Sequence, residues 1–279
     1  MTGSAGQLRV PKSYFEEVWI PLAPLDEQQQ IIEKIEELFS DLDKGIDSLK
    51  TAQKQLKVYR QVVLKWAFEG KLTEKWRSQV QQEKLDIKTG EALLAQIKAE
   101  RENLYQQQLA EWEEAVREWE AIGKPGKKPT KPQKLKEISY LTKAELSELY
   151  HLPAEWYWVK IGDLTTGVEY GSAAKSKKDG RVPVLRMGNI QNCVFDWSDL
   201  VFSNDEQEIE KYRLKKGDVL FNRTNSPELV GKTAIYQNER PAIFAGYLIK
   251  VNQINELVLS KYLNYFLNSI TAKKPILLG

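Results

Sequence analysis

Two short runs in the second half of the chain carry the side chains best suited to reading the edge of a base. Arg186-Met-Gly-Asn189 and Phe221-Asn-Arg-Thr-Asn-Ser226 each follow an apolar, strand-like segment. A guanidinium grips guanine bidentately, and a carboxamide grips adenine in the same way. Arg186, Asn189, Asn222, Arg223 and Asn225, with the hydroxyl of Ser226, are therefore candidate base-reading groups. They sit in loops at strand ends, where a rigid scaffold usually presents such groups. Upstream, Ser172, Lys175, Lys177 and Lys178 lie in a Gly/Ser/Lys loop suited to phosphate contacts, which position a nucleic acid without specifying its sequence. The same residues also have an ordinary reading. Asn222 and Asn225 are turn formers that bond their own backbone, and Arg186 is a natural ion-pair partner at a surface.

Catalytic constellations are missing from the sequence. His151 is the single histidine and has no cysteine or aspartate cluster for company. There is no Cys-x-x-Cys or His-Glu-x-x-His pattern to hold zinc. Ser226-Pro-Glu-Leu-Val-Gly-Lys-Thr233 resembles a phosphate loop, but serine replaces its first glycine. The run also falls between two strand-like segments, whereas phosphate binding needs the N-terminus of a helix. No Gly-x-Gly-x-x-Gly fingerprint is present.

The elements that must position these groups divide the chain in two. Ile35, Leu42, Leu49, Leu56 and Val63 recur at intervals of seven, with Leu38, Gly45, Ala52, Tyr59 and Trp66 three residues further on. That a/d pattern predicts a coiled-coil helix over residues 26–69, begun at Asp26 and ended by Gly70. At ~1.5 Å per residue such a helix is about 66 Å long, and its stripe needs a partner helix along most of that length. Ile35, Leu38, Leu42, Leu49, Leu56, Tyr59, Val63 and Trp66 are the expected interface. A second helix is expected over 83–121, where Tyr105, Leu109, Trp112, Val116 and Trp119 alternate at spacings of four and three. Lysines and prolines then make a stiff basic linker to about residue 138. Before the long helix, Val18-Trp-Ile20 reads as a brief strand stopped by Pro21.

From residue 153 the texture changes. Strands are expected at Trp156–Val159, Val182–Leu185, Asp218–Phe221, Lys232–Tyr236 and Tyr247–Val251, and a helix at Leu257–Ser269. The fold class is α+β: one mixed domain plus long coiled-coil helices. The expected divisions are 1–25, a tail segment; 26–73, the long helix; 74–138, the second helix and linker; and 139–279, the mixed domain.

Composition agrees. The chain has 279 residues, of which 42% are hydrophobic and 29% charged, with a net charge of +2. No run reaches the ~18–20 apolar residues that span a bilayer. Cys193 is the single cysteine, so a reducing cytoplasm is the expected compartment.

Taken in order, several segments resemble the specificity subunits of type I restriction-modification systems. Ile20-Pro-Leu-Ala-Pro-Leu-Asp-Glu-Gln28 and the run on to Phe39 resemble the start of the family's spacer helix. Ala67-Phe-Glu-Gly-Lys-Leu-Thr73 with Trp76-Arg77 resembles its end. Leu152-Pro-Ala-Glu-Trp156 with Val159-Lys-Ile-Gly-Asp163 resembles the opening of a target recognition domain, and Leu214 to Phe221 resembles a strand inside one. The resemblance implies a non-catalytic subunit that reads half of a bipartite site in double-stranded DNA. It implies docking of methyltransferase subunits, which bring S-adenosylmethionine for adenine methylation. It also implies motor-nuclease subunits that use ATP and magnesium. No cofactor is expected on this chain itself, and no membrane. The alternative is a scaffold that binds methyltransferase, or another specificity subunit, without reading sequence itself.

A full family member has two recognition domains and two spacer helices, and this sequence suggests a half-length form with one recognition domain. Residues 5–25 look like the tail of such a domain. In a homodimer with antiparallel spacer helices, the partner's tail would complete each domain. The competing expectation is a monomer in which 83–121 folds back along the long helix.

Overall fold

The computed structural model describes residues 10–135, 141–224, 230–254 and 256–273. It divides the chain into a unit ending at Tyr59 and a second beginning at Arg60.

The first unit is helical. A short helix α1 (Lys12–Glu17) precedes α2 (Leu25–Phe68), an unbroken helix of 44 residues that continues into the second unit. Val18–Ile20 forms no strand, contrary to expectation. Extended residues become a strand only where a neighbour completes the ladder, and none among the described residues does so here. The helix begins at Leu25, so Asp26 and Glu27 lie in its first turn and face the positive end of the helix dipole. Along α2, Lys34–Glu37, Lys44–Asp41 and Lys50–Asp47 pair across one turn. The apolar stripe of this unit is bare: Ile35, Leu38, Leu42, Leu49, Leu56 and Tyr59 are all exposed. Gly70 ends the helical run in the left-handed region, at φ +77°.

The second unit opens with the end of α2. There Leu64 and Phe68 are buried, Val63 is half-buried and Trp66 remains exposed. Phe68 meets Tyr262 and Phe266 edge-on at 5.2 Å each. Its carbonyl accepts the Tyr150 hydroxyl at 3.1 Å. The helix expected over 83–121 begins later, at Gly90, and a separate short helix precedes it. α3 (Glu74–Gln82) stops at a turn where Lys84 takes φ +50°. α4 (Gly90–Ala121) starts afresh, with the Thr89 hydroxyl capping Ala92 N–H. Thr89 satisfies one of the free N–H groups at the start of α4, which fixes where that helix begins. The inner face of α4 presents Leu94, Ile97 and Arg101, all buried, to the mixed domain of its own unit. Arg101 donates to the Asp163 carbonyl at 3.1 Å.

The linker after α4 is held rather than free. Trp112 and Trp119 donate their ring N–H groups to the carbonyls of Pro129 and Pro125, and Lys131 and Lys124 sit over the same two rings. α5 (Lys143–Ser147) follows, closed by a capping box between Thr142 and Glu145.

Among its described residues the mixed domain holds nine strands. β1 (Thr165–Tyr170), β6 (Val219–Asn222), β7 (Thr233–Ile235) and β9 (Leu248–Gln253) form an antiparallel sheet in the order β1-β9-β6-β7. β2 (Val182–Leu185) pairs antiparallel with β5 (Val201–Ser203) and parallel with β8 (Ile243–Phe244). β3 (Ile190–Gln191) and β4 (Val194–Phe195) make a small hairpin. α6 (Glu206–Lys211) and α7 (Ser260–Leu267) complete the domain. Trp156–Val159, expected as a strand, is irregular. Its aromatic rings pack instead: Trp158 meets Tyr150 edge-on, and Arg77 lies over Trp156. The core lies on both faces of the four-stranded sheet, with Leu220, Tyr236 and Leu248 on one side and Val219, Val251 and Leu263 on the other.

Candidate nucleic-acid interface

One end of the four-stranded sheet gathers most of the expected reading groups. β1 finishes there at Tyr170 and β6 at Asn222, while β9 begins there at Leu248. The tight turn Ala245-Gly246-Tyr247 ties the loops together. Ala245 N–H donates to the Leu185 carbonyl at 2.9 Å, just before Arg186. Gly246 N–H donates to the Ser172 carbonyl at 2.7 Å. The Tyr247 carbonyl accepts Arg223 N–H at 3.4 Å. Loops separated by tens of residues in sequence are thus brought together by backbone bonds.

Several expected readers turn out to be scaffold. Asn189 is 3% exposed. Its Oδ1 accepts Arg186 N–H at 2.8 Å, and its Nδ2 donates to the carbonyls of Asp196 and Asp199 at 3.0 and 2.8 Å. Asn222 is fully buried in β6, with its backbone paired to Gly231 and Lys232. Ser172 is buried too, and its hydroxyl donates to Glu208. These three side chains do not reach a base or a phosphate, because their polar atoms are committed inside the domain. The short polar side chains that suit reading loops also suit buried bracing, and a buried amide must be bonded. We expect Asn189→Ala to leave three partners unsatisfied and to destabilise the domain by ~2–4 kcal/mol, read as a fall in thermal midpoint. A loss below ~0.5 kcal/mol would show that water replaces the amide.

Arg186 is also engaged. Its guanidinium donates to the Asp199 carboxylate at 2.9 Å and to the Asp199 carbonyl at 3.3 Å. Its Nη2 is thereby committed to Asp199. Arg223 differs: it is exposed, and its guanidinium lies over the Tyr170 ring, 4.7 Å from the centroid. Lys175, Lys177 and Lys178 are exposed, and none is ion-paired among the described residues. The Lys177 backbone is pinned by paired bonds to Phe202 at 2.9 and 2.8 Å, so its side chain projects from a fixed point. Asn225 and Ser226 fall outside the described residues.

Sequence reasoning passed over Tyr170 and Tyr247, which are 56% and 54% exposed at this rim. The only local signal was an aromatic residue at one end of a short segment, closing Thr165–Tyr170 and opening Tyr247–Val251. It also passed over a second basic group. Arg60 donates to the Asn192 carbonyl at 2.9 Å, and Lys232 to the Gln191 Oε1 at 3.2 Å. Lys273 is pushed below the usual lysine range by burial and then by the charge of Lys232. Burial pushes the neighbouring Cys193 thiol up. The run resembling a phosphate loop lies partly outside the described residues, and its last residue, Thr233, opens the strand β7. Among the described residues no group of three His, Cys, Asp or Glu side chains is placed to hold a metal, and no helix is long and apolar enough to cross a membrane.

Residues 153–278 match the family model described as the type I restriction modification DNA specificity domain. Over 96% of its length the chain is 27% identical to the type I restriction enzyme EcoAI specificity subunit of Escherichia coli, covering 48% of that protein. It is 24% identical, with the same coverages of 96% and 48%, to the EcoEI specificity subunit of Escherichia coli. The chain thus spans about half the length of these curated relatives. A crystal structure of the HsdS subunit from Thermoanaerobacter tengcongensis aligns over 99% of this chain and 48% of its own, at 17% identity and a TM-score of 0.35.

Proposed function

We propose that this chain, which belongs through residues 153–278 to the family of type I restriction-modification DNA specificity domains, reads one half of a bipartite site in double-stranded DNA. The observation that carries the reading is that family match, over the same residues that build the mixed domain and its basic, arginine-bearing rim.

In this reading the chain supplies recognition and no catalytic group. Methyltransferase subunits dock on it and bring S-adenosylmethionine for adenine methylation. Motor-nuclease subunits add ATP- and magnesium-dependent translocation and cleavage. The long helix α2 acts as a spacer. Its bare stripe, from Ile35 to Tyr59, supports pairing with the same helix of a second copy, running antiparallel. A paired rod sets recognition domains at a fixed separation, and a two-fold pair presents the same surface from each subunit. Two identical domains then read a palindromic bipartite site.

The test is selection from a pool of duplexes with randomised bases, using the full chain assembled with methyltransferase subunits. The expected result is one enriched bipartite motif. Lys177→Ala is expected to weaken binding to all sequences alike and to reduce the salt slope by about one. A chain that binds methyltransferase but enriches no motif would be a scaffold, and the reading would fall.

A further inference from the structure

Of the expected reading groups that are described, Arg223 alone combines exposure, a fixed backbone and a guanidinium with no carboxylate partner among the described residues. What holds its side chain is an aromatic ring. In the sheet register, Phe221 on β6 pairs with Ile249 on β9, which pairs with Tyr170 on β1. Paired residues share a face of the sheet, so these three form one row across it. Arg223 lies two residues beyond Phe221 and returns to that same face. Its guanidinium reaches back over Tyr170.

The consequence is specific. Arginine loses considerable side-chain freedom when ordered, and a loose surface arginine pays that cost on binding. Contact with a ring face uses none of the five N–H donors. A guanidinium held this way is ordered in advance and keeps its fork available, which one paired with a carboxylate, such as Arg186, does not.

Resting on the DNA-reading function above, we propose that Tyr170 is a specificity-positioning residue that holds Arg223 for bidentate contact with a guanine edge in the major groove. Tyr170 makes no base contact in this role. It sharpens discrimination at one base pair without contributing to affinity for DNA in general.

The experiment repeats the randomised-duplex selection with the full chain as wild type, Arg223→Ala, Tyr170→Ala, Tyr170→Phe and the double alanine variant. Thermal midpoints are read alongside, to establish that each variant folds. Wild type is expected to prefer guanine at one position, and Arg223→Ala to lower that preference roughly tenfold. Tyr170→Ala is expected to lower it about two- to fivefold at that same position only, with non-specific affinity and salt slope unchanged. Tyr170→Phe keeps the ring and retains most of the preference. Adding Tyr170→Ala to Arg223→Ala changes nothing more. An unaltered guanine preference in Tyr170→Ala overturns the proposal, as does an equal loss on all sequences or an additive double variant. In those outcomes the DNA-reading function stands, because wild type still enriches a motif. If wild type enriches none, both fall.

Discussion

Replacing Leu42 and Leu49 together with lysine is expected to weaken self-association of the chain by more than about a thousandfold while leaving the recognition domain folded. Both side chains are exposed in the single chain, at 60% and 73%, so neither supports the mixed domain. In a two-fold pair each substitution acts twice. Burying a leucine contributes about 1.5–3 kcal/mol, and a buried lysine without a partner adds a further penalty. Sedimentation at micromolar concentration is expected to give a pair for wild type and a 32.2 kDa species for the variant, with equal thermal midpoints for the domain. Leu64→Lys serves as a contrast: that leucine is buried, so the variant is expected to lower the midpoint. A wild-type chain that sediments as a monomer would remove the paired-spacer reading. A variant that still pairs would place the contact elsewhere.

Gly171→Ala is expected to cost ~2–4 kcal/mol, a fall of roughly 5–15 °C in thermal midpoint. The added Cβ would stand 2.3 Å from the Phe244 carbonyl oxygen and 2.5 Å from that of Ala245. Neither can retreat freely. Ser172 N–H donates to the Phe244 carbonyl at 2.8 Å, and Leu248 N–H to the Ala245 carbonyl at 2.9 Å. The strain therefore spreads into the 245–247 turn that ties the reading loops together. Gly188→Ala is the control, since its Cβ would meet nothing within 4 Å. It is expected to stay within ~0.5 kcal/mol of wild type. If calorimetry puts Gly171→Ala as close to wild type as that control, the turn has slack that its hydrogen bonds conceal.

What was legible in the residues was local. The seven-residue repeat from Ile35 to Val63 needs only the helix's own geometry to be read, and α2 is unbroken over it. Errors came where a local pattern had two outlets. Trp156–Val159 has the composition of a strand, yet its rings serve packing against Tyr150 and Arg77. The helix expected from residue 83 starts only at Gly90, because Lys84 takes a left-handed turn and Thr89 caps the new helix.

The candidate site was legible only as residue types. Asn189 and Asn222 looked like readers, and the same carboxamide chemistry makes them braces once they are buried. Whether an asparagine faces solvent depends on which strand lies beside it, and β6 is covered by β9, some twenty-five residues downstream in the chain. Tyr170 gained significance only because β1 pairs with β9 and β9 with β6, an order that no local period encodes.

By itself, then, the order of residues determined the long helix, its apolar stripe and the kinds of group on offer, because helix period and side-chain chemistry act over a few positions. Only the tertiary structure decided which arginine is held by an aspartate and which by a tyrosine. The tyrosine contact depends on strand pairing across about eighty residues between β1 and β9, where the cost of closing the chain is repaid by burial of the whole sheet and not by any one neighbour.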